Sequence, residues 1–311
     1  MFGVFCYNLS MAVIKVENIS KNFGTLKAVD NLSFEVEAGQ VFGFLGQNGS
    51  GKSTTIRMLL SLIHPSSGSI ELFGKSIQKN RASILEQVGA IIERPDLYPY
   101  LTATEHLQLF AKVRKQKVAA INITKTLEQV GLSHRSQDKV QTFSLGMKQR
   151  LGIAIALVHN PSLIILDEPT NGLDPQGIAD IRSLIQYLAK EEGKTVFVSS
   201  HLLSEIEQVA NQILIIHQGK KMVEGVTKEL LDPEKRIVQI KTLDDVKALS
   251  IIVAGSFSQY LLTRKEGIFL KLPTSAIPML NESLVQSGIA VLGIETKNSL
   301  EDYFLQITSN A

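Results

Sequence analysis

Gly46-Gln47-Asn48-Gly49-Ser50-Gly51-Lys52-Ser53-Thr54 fits the pattern G-x-x-x-x-G-K-S/T. An apolar run, Val41-Phe42-Gly43-Phe44-Leu45, precedes it, and a helix-like run, Thr55-Ile56-Arg57-Met58-Leu59-Leu60, follows. That is the strand–loop–helix setting a phosphate-binding loop needs. The glycines let backbone N–H groups turn inward around phosphate oxygens. A helix starting near Lys52 adds the positive end of its dipole. Lys52 can reach the β- and γ-phosphates, and the Ser53 hydroxyl can ligate Mg²⁺. The stretch implies binding of a nucleoside triphosphate; a glycine-rich turn without ligand is the plain alternative.

The chain has 311 residues, which suggests one large or two ordinary domains. Its 44% hydrophobic and 20% charged residues support a sizeable core and exclude global disorder. A formal net charge of +2 gives no case for nucleic acid or an anionic membrane surface as partner. The single cysteine, Cys6, allows no internal disulfide and fits a reducing, cytosolic setting. No uncharged apolar run reaches the roughly 18 residues of a membrane span. Residues 1–11 are apolar without a basic leader and read as an upstream extension, since Met11 opens a cleaner strand pattern. A short membrane-touching anchor is the other reading.

Along the chain, Ala12 to Val16, Ala28 to Val36 and Gln40 to Leu45 read as strands, and residues 53–63 as a helix. Strands are expected again at Ser69 to Leu72 and Val88 to Ile92. Residues 101–160 have mostly helical period, with Thr102 and Ser144 as N-caps. Leu163 to Leu166, Thr195 to Ser199 and Gln212 to His217 are apolar strands. Helices at Ile178 to Lys190 and Leu203 to Asn211 separate them. Apolar strands alternating with helices predict an α/β fold around a mostly parallel sheet buried on both faces. After Lys228 the order changes to β-α-β-β-α-β, the split βαβ plan. Its elements are Arg236 to Lys241, Leu243 to Leu249, Phe257 to Thr263, Gly267 to Leu272, Ser275 to Ser287 and Ala290 to Thr296, with a last helix over Ser299 to Ile307. The expected domains are therefore 12–228 and a small α+β unit, 229–311.

Leu163-Ile164-Ile165-Leu166-Asp167-Glu168 is an apolar strand ending in two carboxylates. At a strand tip beside the phosphate loop, Asp167 can hold Mg²⁺ directly or through water. Glu168 points elsewhere and can take a proton from an attacking water. A strand simply ending in surface charges is the alternative for the pair taken alone.

From these motifs in this order, residues 12 to about 225 resemble the ATP-binding subunits of ABC transporters. Asp167-Glu168-Pro169-Thr170 leads into Asn171-Gly172-Leu173-Asp174, similar to that family's D-loop. His201, after Thr195-Val196-Phe197-Val198-Ser199-Ser200, is similar to the switch histidine. Phe143-Ser144-Leu145-Gly146-Met147-Lys148-Gln149-Arg150 sits where the signature belongs, and Phe23 where an aromatic stacks on adenine. The resemblance implies an ABC-type fold with an antiparallel β subdomain and a helical signature subdomain. It makes the bound nucleotide ATP, held by Gly46 to Thr54, Phe23 and Asp174. It makes Ser144 and Gly146 γ-phosphate contacts for the nucleotide of a second copy, and His201 a partner of the γ-phosphate or the attacking water. With Lys52, Glu168 and His201 as catalytic residues, the metal ligands would be Ser53, Asp167 and Glu93.

Two departures stand out. The signature carries Leu145 for a glycine and Met147 for glutamine, which narrows the backbone and removes an amide. Glu93, in Ile92-Glu93-Arg94-Pro95, replaces the glutamine usual after this strand. These departures and the ending Ser299-Leu300-Glu301-Asp302-Tyr303-Phe304-Leu305 resemble the bacitracin- and lantibiotic-resistance branch. The expected protein is a cytoplasmic ATPase at the inner face of the cell membrane. It would form an ATP-sandwiched dimer on a separate permease and export an antimicrobial peptide or similar toxin. Export of a drug, lipid or ion, a soluble non-transport ABC ATPase, and an ATP-gated scaffold with little turnover are the alternatives.

Overall fold

The computed structural model describes residues 12–113, 120–230, 237–262 and 267–297. The expected extension before Ala12 and the last expected helix, Ser299 to Ile307, lie outside them. The chain divides into two compact units, Met1–Glu224 and Gly225–Ala311; the sequence reading placed that division after Lys228.

In the first unit, β1 (Ala12–Phe23) and β2 (Leu26–Glu37) form a long antiparallel ribbon around Gly24-Thr25. With β4 (Ser67–Leu72) and β5 (Lys75–Ser76) they make a four-stranded antiparallel sheet, ordered β2-β1-β4-β5. Alternation sets its faces: Leu32, Phe34 and Val36 are buried, while Glu35 and Glu37 are exposed. The ribbon runs well past the strands expected at Ala12 to Val16 and Ala28 to Val36. Their extensions are polar and partly exposed, so hydrophobic pattern does not announce them, and backbone pairing supplies them.

The second sheet has six strands in the order β10-β9-β3-β8-β7-β6. Five are β6 (Val88–Ile91), β7 (Leu163–Asp167), β8 (Thr195–Ser200), β3 (Val41–Leu45) and β9 (Gln212–His217), and each pairs in parallel with its neighbour. The edge strand β10 (Lys220–Val226) has no apolar run and the sequence reading misses it. A two-residue turn with both residues left-handed, Gln218 and Gly219, returns the chain into it.

Four phenylalanines join the two sheets. Phe42 and Phe44 share one face of β3, Phe197 lies opposite Phe42 on β8, and Phe34 comes from β2. Ring centroids are 5.6 Å apart for Phe34–Phe42, 5.5 Å for Phe42–Phe197 and 5.3 Å for Phe44–Phe197. The core spreads from there through Ile14, Ile56, Leu72, Leu163 and Leu214.

Helix α1 (Lys52–Leu59) starts one residue before its expected range and stops four before it. Ser61 turns left-handed, and Leu62 N–H reaches back to Arg57 C=O at 2.9 Å, a Schellman closure. Helix α2 (Ile77–Leu85) follows β5. The helical region holds α3 (Ala103–Val113), α4 (Ala120–Gln129) and α5 (Leu145–Leu157). Both expected caps are formed. Thr102 and Glu105 exchange a capping box, and Ser144 Oγ accepts from Met147 N–H at 3.3 Å. Helix α6 (Pro175–Lys190) begins three residues earlier than expected, because Asp174 caps it and Pro175 suits its first turn. The helix expected from Leu203 to Asn211 is shorter: α7 is Leu203–Ile206.

In the second unit, α8 (Thr227–Leu230) is followed by β11 (Ile237–Thr242), α9 (Asp245–Ala254), β12 (Leu261–Leu262), β13 (Ile268–Lys271), α10 (Ile277–Gln286) and β14 (Val291–Lys297). The sheet order β12-β13-β11-β14, antiparallel throughout, is the split βαβ arrangement. The strand expected from Phe257 to Thr263 is confined to Leu261–Leu262, because Ser258–Tyr260 forms a 3₁₀ turn.

Because Phe34 is 3% exposed and touches three other rings, Phe34→Ala removes the centre of the junction between the sheets. We expect a loss of about 3–5 kcal/mol in chemical denaturation. A loss below about 1 kcal/mol would show that the sheets do not depend on this cluster.

Candidate functional site

The parallel register brings the C-terminal ends of β3, β7 and β8 to one level, where open α/β sheets bind ligands. Leu45 pairs with Ser200, and Asp167 with Ser199. The phosphate loop leaves β3, the carboxylate pair ends β7, and His201 follows β8.

Backbone shape makes the loop a cradle. Gly51 has φ +106°, and a Cβ there would lie 2.6 Å from Ala28 O, so only glycine fits. Helix α1 then begins at Lys52 with no side-chain cap and no acidic residue in its first turn. Its free N–H groups and dipole are thus open to an anion. Lys52 is buried and donates to Gly46 O at 2.6 Å and Gln47 O at 3.2 Å. Its ammonium is also 3.0 Å from Glu168 Oε1.

Glu168 is the centre of the cluster. Its backbone is left-handed, φ +47°, a conformation that a side chain with a Cβ adopts at a cost. One carboxylate oxygen meets Lys52, and the other lies 3.0 Å from His201 Nδ1. Against an ionised carboxylate the hydrogen of that contact comes from Nδ1; in that tautomer of the neutral imidazole, Nε2 is an acceptor. Asp167 is 2% exposed; its Oδ1 accepts from Ser199 Oγ at 2.5 Å. The same hydroxyl accepts from Glu168 N–H at 2.9 Å. Asp167 Oδ2 is buried and has no hydrogen-bond partner among the described residues.

Two adjoining clefts share Ser53 and Glu168. One, of about 500 Å³, is lined by Ser53, Glu93, Gln149, Asp167, Glu168 and Asn171 among others. The other, of about 770 Å³, runs from Asn48, Gly49, Gly51, Lys52, Ser53 and Thr54 out to Phe23. That volume suits a nucleotide. Phe23 stands at the rim, 49% exposed, with Lys21 Nζ 5.2 Å from its ring centre. Lys27, Asp30 and Lys220 line the same cleft. The hydrogen bond from Lys27, followed by the charges of Lys27 and Lys220, holds the Asp30 carboxyl below its ordinary value.

A divalent cation fits the smaller cleft. An unpartnered buried carboxylate oxygen such as Asp167 Oδ2 is costly in a folded protein, and Asp167 lines this cleft with Ser53. Among the described residues, no group of three or more His, Cys, Asp or Glu gathers as a metal site. Mg²⁺ sites with phosphate need no such cage: one or two protein ligands suffice. Glu93 also lines this cleft, with φ +62°, and its carboxylate is paired to Arg57 at 2.7 Å.

Ser144, Gly146 and Asp174 line neither cleft. Ser144 is exposed at the start of α5, and Asp174 accepts from Gly177 N–H at 2.9 Å. Sequence reading missed Ser199, which joins the two carboxylate residues, and the rim residues Lys27, Asp30, Gln218 and Lys220. The two serines ending the otherwise apolar Thr195–Ser200 strand were the available signal for Ser199.

Residues 29–171 match the family model for the ABC transporter. Over 298 residues the chain is 45% identical to the bacitracin transport ATP-binding protein BcrA of Bacillus licheniformis, covering 95% of this chain and 97% of that protein. It is 41% identical to the lantibiotic transport ATP-binding protein SrtF of Streptococcus pyogenes, over 68% of this chain and 90% of the relative. Among solved structures, it is similar to the ATP-binding cassette MJ0796 in a dimeric post-hydrolysis state with ADP and Pi. That likeness has a TM-score of 0.61 and 25% identity, over 69% of this chain and 98% of the other. The phosphate loop, the carboxylate-tipped strand and nearly full-length identity agree: the chain belongs to the ABC transporter family, as one of its ATP-binding, ATP-hydrolysing proteins.

Proposed function

We propose that this chain hydrolyses ATP to drive a separate membrane permease that exports a peptide antibiotic or a similar amphipathic toxin. The observation that carries the catalytic part is the meeting of Lys52, Glu168 and His201 beside the unpartnered oxygen of Asp167. No helix among the described residues is long and apolar enough to cross a membrane; on this reading the translocation path belongs to another chain. The subunit then works in the cytoplasm, at the inner face of the membrane. The named activities of BcrA and SrtF support the peptide substrate. Glu93 and the Phe143–Arg150 signature resemble the same branch.

ATP would lie with its base on Phe23 and its phosphates on the loop from Gly46 to Thr54. Stacking on one aromatic face contributes about 1–3 kcal/mol by analogy with single-strand binders. The three donors of Lys52 already have three acceptors: Gly46 O, Gln47 O and Glu168 Oε1. A γ-phosphate on Lys52 must replace one, and only Glu168 offers it from a movable side chain. Seating the triphosphate therefore releases a carboxylate oxygen beside the position of an attacking water. Glu168 takes the water's proton, and His201 holds the second carboxylate oxygen through Nδ1–H. Mg²⁺ would be held by Ser53 and Asp167, with Glu93 at the edge, and supplies charge neutralisation of the phosphates.

Glu168→Gln keeps the shape and loses the proton acceptor. The variant should bind ATP and lose about 10²- to 10⁴-fold in turnover, measured by phosphate release. Near-normal turnover would remove Glu168 from the role of base.

The signature elements complete the site from a second copy. Ser144 Oγ accepts from Met147 N–H, which leaves its own O–H to donate outward from a helix N-terminus. Leu145, 39% exposed beside it, makes a bulkier cap than a glycine would. A Lys52→Ala chain and a Ser144→Arg chain should each be inactive alone, while a mixed dimer regains one working site. Mixed dimers isolated by two affinity tags test this; an absence of recovered ATPase activity would refute shared sites.

The substrate class is tested in cells. Deleting this gene while its permease is still expressed should raise sensitivity to cell-envelope peptides in growth-inhibition assays. Unchanged sensitivity across a broad peptide panel would favour another cargo, with the ATPase chemistry untouched.

A further inference from the structure

Glu205, on α7, lines neither of the two clefts. A single oxygen of its carboxylate nevertheless receives two hydroxyls. Thr170 Oγ1 donates to Glu205 Oε2 at 2.6 Å, and Ser200 Oγ donates to the same atom at 3.0 Å. Thr170 lies two residues beyond Glu168, and Ser200 immediately precedes His201. The two partners thus belong to the two backbone segments that carry the reacting side chains.

Each hydroxyl has one proton to give, and both are spent on this oxygen. Ser200 is fixed further: its Oγ accepts from Leu202 N–H at 3.0 Å, and its carbonyl accepts from Gly46 N–H at 3.3 Å. The left-handed backbone at Glu168 needs its surroundings to hold it. Behind it, the chain turns through Pro169 to the Thr170 anchor. Resting on the assignment of Glu168 and His201 above, we propose that Glu205 is a positioning residue for ATP hydrolysis. It keeps the ends of β7 and β8 at the spacing that lets Glu168 meet His201, and it touches neither nucleotide nor water.

Steady-state ATPase kinetics of the full chain test this. Glu205→Ala should lower kcat about tenfold or more, while KM for ATP stays within about twofold. Glu205→Gln keeps an acceptor oxygen without the charge and should recover part of the loss. Thr170→Val with Ser200→Ala removes both donors and leaves Glu205 in place. This double variant should reproduce the kcat loss, and it keeps the test open should Glu205→Ala fold poorly. Adding the pair to Glu205→Ala should cause no further loss, because the acceptor is already gone. The positioning role is overturned by a kcat within about twofold of normal, by additive losses, or by losses that track a falling melting temperature with KM changing in step. Glu168→Gln separates the two readings. If it is inactive while Glu205→Ala is normal, only the positioning role fails; if it keeps turnover, the base assignment fails and takes the positioning role with it.

Discussion

The hydroxyl of Ser199 fixes the chemistry of this molecule more than any other single group. It donates to Asp167 Oδ1 and accepts from Glu168 N–H, so one atom sets both carboxylate residues. That is possible because β7 and β8 run parallel with Asp167 opposite Ser199. A register slip of one residue would exchange the faces of every side chain on the strand and break both bonds. The buried runs Leu163–Leu166 and Thr195–Val198 oppose the slip, and the phenylalanine junction packs the sheet against its antiparallel neighbour through Phe34. Burial in the core thus becomes geometry at the strand tips.

Above this anchor the charges are arranged in opposition. Lys52 and Glu168 are 3.0 Å apart with little exposure, so neither is solvated as it would be in free water. A buried pair of this kind gives little net stability, since desolvation offsets attraction. In the proposed mechanism its value is exchange. The ammonium has two backbone carbonyls that stay with it and one carboxylate that can leave. An incoming phosphate would meet a lysine already held in place, and that pre-orientation would lower the entropy lost on binding.

The chemistry-bearing segments were legible because each is local. The Gly46–Thr54 loop and the tip of Leu163–Asp167 carry their meaning within ten residues, and capping chemistry marked Thr102 and Ser144. What could not be read was set by distant pairing. The left-handed Ser61 that ends α1 has no glycine to betray it. The edge strand β10 is polar, and the outer ends of the β1–β2 ribbon carry no periodic apolar face. Ser199 looked like strand filler, because its partners are 31 and 32 residues away. The rim lysines likewise come from β2 and β10, far apart in sequence.

The proposed division of the remaining site residues between two copies gives hydrolysis a way to drive movement. Ser144 and Gly146 sit at the start of α5 and line neither cleft of their own chain. On that proposal a single copy holds a triphosphate on its loop without surrounding it. If two copies close over ATP as proposed, the free energy of closure depends on the γ-phosphate, the one group both would touch. Cleavage would then remove that shared contact and weaken closure without any change in the fold of either chain. A ligand shifts an equilibrium only by its difference in affinity for the two states. On the proposed reading the difference comes from dividing the phosphate contacts between the loop at the start of α1 and the start of α5 in a second copy.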